Sequence, residues 1–116
     1  MKSKSSLLPR LRIVSGKKIA FGPGKADLLA LVAQTGSIGE AAKRMDMSYM
    51  RAWSLLQTMN RCFAEPLVAA ARGGNRHGGA ALTPAGRQVL RLYRRMESSS
   101  LKAVKKDWAI FKKLLG

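Results

Sequence analysis

The sequence predicts a mainly α domain with a small β-hairpin wing: a winged helix-turn-helix that runs on into a long C-terminal helix. Three observations predict it. Two capped amphipathic helices are joined by a tight connection at Asp46-Met47, a glycine-rich basic loop lies between two short apolar strands, and a proline-opened helix follows directly. With 116 residues, 47% of them hydrophobic, the chain suits one compact unit.

The elements follow in order. Residues 1–9 read as a basic arm, after which Leu11-Arg12-Ile13 and Ile19-Ala20-Phe21 alternate on either side of Ser15-Gly16-Lys17-Lys18, a short strand or loose hairpin. Gly22-Pro23-Gly24 punctuates the chain, and Leu28, Leu29, Leu31 and Val32 recur at helical spacing, which predicts a first helix over 24–34. Ser37 and Glu40 form a capping box that opens a second helix ending near Met45, with Ile38, Ala41, Ala42 and Met45 on one face. Ser48 caps the third helix, whose Tyr49, Ala52, Trp53, Leu56, Met59 and Phe63 share a face. For Trp53 that face predicts core packing rather than base stacking, whereas Tyr49 could serve either purpose. Leu67-Val68-Ala69-Ala70-Ala71 and Ala80-Ala81-Leu82 bracket the wing. Thr83 caps and Pro84 opens a fourth helix with Val89, Leu92, Tyr93 and Met96 as its core face. At Ser98-Ser99-Ser100 the apolar phase resets, so the division is 1–9 arm, 10–97 winged helix-turn-helix and 98–116 amphipathic dimerisation helix.

Charge narrows the function. Twenty-two Lys and Arg against six Asp and Glu give +16 at pH 7, a field that draws polyanions and makes nucleic acid the first partner to consider. Cys62 and His77 are the only residues of their kinds, which excludes an intrachain disulfide and a four-ligand zinc site, so no metal is expected. Helical H-E-x-x-H, a Ser-His-Asp set, paired carboxylates and a phosphate-cradling G-x-x-x-x-G-K-[ST] loop are all missing; neither a catalytic residue nor a cofactor is expected, and the chain does not read as an enzyme. The first nine residues lack the apolar core of a signal peptide and no run approaches the roughly 18 apolar residues of a membrane span, so a cytoplasmic, nucleoid-associated protein is expected.

A helix-turn-helix reads double-stranded DNA through the exposed residues of its second helix, which fits the major groove. Here these are Ser48, Tyr49, Met50, Arg51, Ser54 and Thr58, with Lys43 outside on the preceding helix. Arg51 can donate two parallel hydrogen bonds to guanine, and Ser48 stands where a cap meets phosphate. In the wing, Arg72, Asn75, Arg76 and His77 lie among four glycines that let the chain approach a sugar-phosphate backbone closely. Leu101, Val104, Trp108, Phe111 and Leu115 alternate at three and four residues, the seam of paired helices, and predict a homodimer. The same stretch, with Lys102, Lys105, Lys106, Lys112 and Lys113 around it, could pack on its own domain or lie on anionic lipid. The rival to sequence-specific regulation is a low-specificity architectural protein coating DNA by charge.

Thr35-Gly36-Ser37-Ile38, Ala41-Ala42-Lys43, Met47-Ser48-Tyr49 and Ala52-Trp53 resemble the N-terminal DNA-binding domain of molybdate-responsive (ModE-type) transcriptional regulators. Glu65-Pro66-Leu67-Val68, Gly73-Gly74 through Gly78-Gly79-Ala80, Leu82-Thr83-Pro84-Ala85-Gly86 and Leu92-Tyr93 continue the match over about residues 20–97. The resemblance implies a winged helix-turn-helix distantly similar to LysR-type domains, a homodimer paired through long terminal helices, and a palindromic operator. Two departures accompany it. The family often has Lys where Met50 stands, and its molybdate-sensing members carry oxyanion-binding modules that nothing in these residues resembles, so molybdate binding by this chain is not expected.

Overall fold

A computed structural model describes residues 4–71 and 79–116. The chain runs β1 (Ile13–Ser15), β2 (Lys18–Phe21), α1 (Pro23–Thr35), α2 (Ile38–Arg44), α3 (Tyr49–Cys62), β3 (Val68–Ala70), β4 (Ala80–Leu82), α4 (Pro84–Ala103) and α5 (Lys105–Leu114). It is the mainly α winged helix-turn-helix that the sequence predicts. Two antiparallel hairpins, β1–β2 and β3–β4, stand as separate two-stranded sheets.

The β1–β2 turn needs only two residues because Gly16 takes a left-handed φ of 63° without steric cost. Pro23 supplies the pre-set φ of the first turn of α1, and Gly36 ends that helix at φ 68° with its N–H on the Val32 carbonyl, 2.8 Å. Ser37 caps α2 by accepting from the Glu40 N–H at 3.1 Å. The reciprocal half of the expected capping box is not made: the Ser37 N–H donates to Thr35 Oγ1 at 3.2 Å, and Glu40 faces Lys43 instead at 3.9 Å. Asp46, at φ 56°, takes the one left-handed non-glycine position among the described residues, in the turn between α2 and α3. Ser48 caps α3 through the Arg51 N–H, 3.1 Å.

The core lies between these helices. Leu28, Leu29 and Val32 of α1 meet Ala41, Ala42, Ala52, Leu56 and Met59, with Leu67, Val68, Ala80 and Leu82 closing one end. Phe21 packs edge-on against both Phe63 and Tyr93, at 6.0 and 5.1 Å, and the Tyr93 hydroxyl donates to the Leu11 carbonyl at 2.6 Å. Burial pushes the Tyr93 phenol up from its ordinary pKa. Arg94 ties α4 to α1 through Asp27 at 2.8 Å and also holds Glu97 at 3.0 Å.

Three features depart from the expectation. Trp53 is not core: it is 42% exposed, because the residues across the cavity from it, Ala69, Ala70 and Gly79, are too small to cover an indole. Leu92 and Met96 are also exposed, since α4 turns Gly86, Leu90 and Tyr93 inward and leaves the neighbouring stripe uncovered. The helix does not reset at Ser98-Ser99-Ser100. It continues to Ala103, with the Ser100 hydroxyl back-bonded to the Met96 carbonyl at 2.8 Å, and breaks at Val104.

Candidate nucleic-acid interface

Counting about 100° per residue around α3, Ala52, Leu56 and Met59 point into the core, and Met50, Ser54, Gln57 and Arg61 recur on the opposite side. Met50 is 65% exposed, which leaves an apolar tip at the centre of a polar face. Gln57 and Arg61 are absent from the residues singled out by sequence. Their signal was available: from Met50 the spacing four, three, four marks one helical stripe.

Two flanks border this face. Tyr49, Trp53, Gln57 and Asn60 line a cavity of about 220 Å³ between α3 and the β3–β4 hairpin, together with Ile38, Val68–Ala70 and Gly79-Ala80. Arg51 and Leu55 line the other side, in a cleft of about 350 Å³ with Arg12, Ile19, Lys25, Met45 and Met47. Next to it Thr58, Arg61 and Cys62 face Ser15 and Lys18 across about 280 Å³. The helix is thus set between two hairpins.

The candidate residues therefore divide. Ser48, Met50, Arg51 and Ser54 are exposed at the first turns of α3, and Tyr49 leans toward the wing. Ser48 Oγ accepts from the Arg51 N–H, which leaves its own proton free to donate. Thr58 donates to the Ser54 carbonyl at 3.0 Å and turns away from the outward stripe. Lys43 is exposed on α2 with a loose contact to Glu40. Arg72, Asn75, Arg76 and His77 lie outside the described residues. Leu101, Val104, Phe111 and Leu115 are exposed, and Trp108 stacks on Phe111 at 6.2 Å; none of the five belongs to the hydrophobic core or to the residues packed against it.

What holds α3 against the wing is a residue that sequence reading passed over. Asn60 accepts the N–H of Leu67 at 2.8 Å and of Val68 at 3.2 Å through Oδ1, and donates to the Val68 carbonyl at 3.2 Å. On the other side of the hairpin, the Ala80 N–H reaches the Gly36 carbonyl at 3.0 Å, so the left-handed turn before α2 also anchors β4. At the root of the wing, Thr83 Oγ1 donates to the Pro66 carbonyl at 2.6 Å and accepts from the Gly86 N–H at 3.0 Å. A Cβ on Gly86 would collide with the Leu67 backbone, which is why glycine stands there.

The comparisons agree with this geometry. The chain is 43% identical over 82 residues to the molybdenum-pterin-binding protein MopB of Rhodobacter capsulatus, covering 71% of this chain and 30% of that protein. It is 38% identical over 77 residues to the DNA-binding transcriptional dual regulator ModE of Escherichia coli K12, covering 66% of this chain and 29% of that protein. It therefore spans about a third of the length of the curated relatives it matches. Among solved structures, full-length CbnR with its target DNA aligns at TM-score 0.52 and 25% identity over 72% of this chain and 27% of that one. The CbnR DNA-binding domain in its DNA complex aligns at TM-score 0.56 and 24% identity over 73% and 92%, which shows the shared fold. The resemblance to molybdate-responsive regulators drawn from the motifs is met by these matches. Residues 25–87, more than half of the chain, match the pattern of bacterial regulatory helix-turn-helix proteins of the lysR family, and the chain belongs to that family.

Proposed function

We propose that the chain is a sequence-specific DNA-binding transcriptional regulator that acts as a homodimer on double-stranded DNA in the cytoplasm. The observation that carries this reading is the exposed stripe of α3, held rigidly between two hairpins by a serine cap at one end and the Asn60 clamp near the other. A helix with side chains is about 10–12 Å across and fits a major groove about 12 Å wide. Arg51 reads a base edge, Ser48 donates to a phosphate, and the wing residues Arg72, Asn75, Arg76 and His77 approach the backbone.

Pairing rests on the C-terminal helices. Leu101, Val104, Phe111 and Leu115 expose apolar area, and Leu92 and Met96 extend it along α4. Two such surfaces in a C2 dimer cover each other and set two copies of α3 about 34 Å apart, in successive major grooves. No molybdate site is assigned to this chain.

Selection of bound duplexes from a random pool at about 150 mM salt tests the reading, because screened contacts weaken there while base contacts persist. Enrichment of a palindromic motif is the expected result. Retention of duplexes without enrichment would replace it with the architectural reading, in which the +16 charge coats DNA regardless of sequence.

A further inference from the structure

We propose that the β1–β2 hairpin is a second wing, whose Lys17 and Lys18 bind the phosphate backbone on the side of α3 opposite the β3–β4 wing; the proposal rests on the DNA-binding reading above. The two flanks of α3 are the starting point. Tyr49, Trp53 and Asn60 meet β3–β4, while Arg51, Thr58 and Cys62 meet the β1–β2 hairpin and the start of α1. A helix lying in a major groove has a phosphate strand along each edge, and a single wing covers only one of them.

The chemistry of the second flank suits a polyanion. The two clefts beside it are lined by Arg12, Lys25 and Arg51, and by Lys18 and Arg61, with no carboxylate among the lining residues. Ser15 and Lys17 are exposed at the turn, and Gly16 keeps that turn to two residues, so the lysines sit at the tip of a short stiff ribbon. The ribbon is well anchored. Phe21 is buried against Phe63 and Tyr93, and Lys25 Nζ donates to the Ile19 carbonyl at 2.9 Å, tying β2 to α1. A phosphate contact made from such a base orders few further groups on binding.

The test compares two charge-matched variants of the full chain. Lys17→Gln/Lys18→Gln removes the hairpin cations, and Lys112→Gln/Lys113→Gln removes two from α5. Both are titrated against an about 30-base-pair duplex of mixed sequence between about 50 and 200 mM salt, where each lost phosphate contact flattens the log affinity against log salt slope by about 0.9. The hairpin variant is expected to flatten it by about 2 and the α5 variant by less than half of that, with thermal melting of both unchanged. A hairpin slope equal to that of the unaltered chain, or equal loss in the two variants, overturns the second wing. An unaltered chain that fails to retain the duplex overturns the DNA-binding reading itself, and is seen before any variant is compared.

Discussion

Among the described residues, every fully buried apolar side chain lies between Ala20 and Tyr93, whereas the helical stretch beyond Tyr93 buries none. Both regions are amphipathic and both carry aromatic residues. In the first, Phe21, Leu28, Leu56 and Met59 close on one another; in the second, Phe111, Ile110, Leu114 and Leu115 face outward. The difference teaches that an apolar face identifies a contact surface without saying whose it is. The body of the domain satisfies its apolar surface internally and so can hold α3 in place. The C-terminal helices leave theirs exposed, the surface on which we propose a second copy pairs, and the radius of gyration of 17.0 Å, against about 13 Å for a compact chain of this length, reflects that extension.

Substitutions can break this contrast. The largest effect is expected for Leu56→Ala, which empties the centre of the core and should cost about 2–5 kcal/mol in denaturant unfolding. Phe111→Ala, an equally apolar truncation beyond Tyr93, should stay within about 0.5 kcal/mol when the chain is monomeric. Equal losses would erase the distinction between the two regions. Next comes Asn60→Ala, which leaves the Leu67 and Val68 N–H groups without their acceptor and should cost about 1–3 kcal/mol, together with weaker DNA binding as the wing detaches from α3.

Much of this body is legible in the sequence. Ser37, Ser48 and Thr83 announce their helices because an N-cap is a local device: the hydroxyl meets an N–H three residues on. Asn60 is not legible, since its partners lie seven and eight residues away across a turn and no spacing rule marks them. Trp53 misleads for a related reason. Its helical position is right for burial, but cover depends on the small residues of another element. The triple serine misleads differently: serine is a poor helix former, yet an exposed back-bonded serine costs too little to stop a twenty-residue helix. Leu92 and Met96 share the phase expected of a core stripe, and only the packing of α4 shows that its inward side is the Gly86–Tyr93 face.

Smaller effects sharpen the comparison. Arg51→Ala should cost about 1–3 kcal/mol of discrimination between a selected duplex and mixed sequence, measured by competition, while leaving folding intact. Equal loss on both duplexes would remove its base-reading role. Leu92→Glu with Met96→Glu should change unfolding of the monomer by no more than about 0.5 kcal/mol and shift sedimentation from dimer to monomer. A dimer that survives both changes would move the pairing surface elsewhere.

Hydroxyl-radical footprinting of the selected duplex tests the central claim most directly. Two symmetric patches of protection centred about 34 Å apart, one helical turn, are predicted for two copies of α3 held by paired C-terminal helices. A single patch, or continuous protection along the whole duplex, would contradict the account.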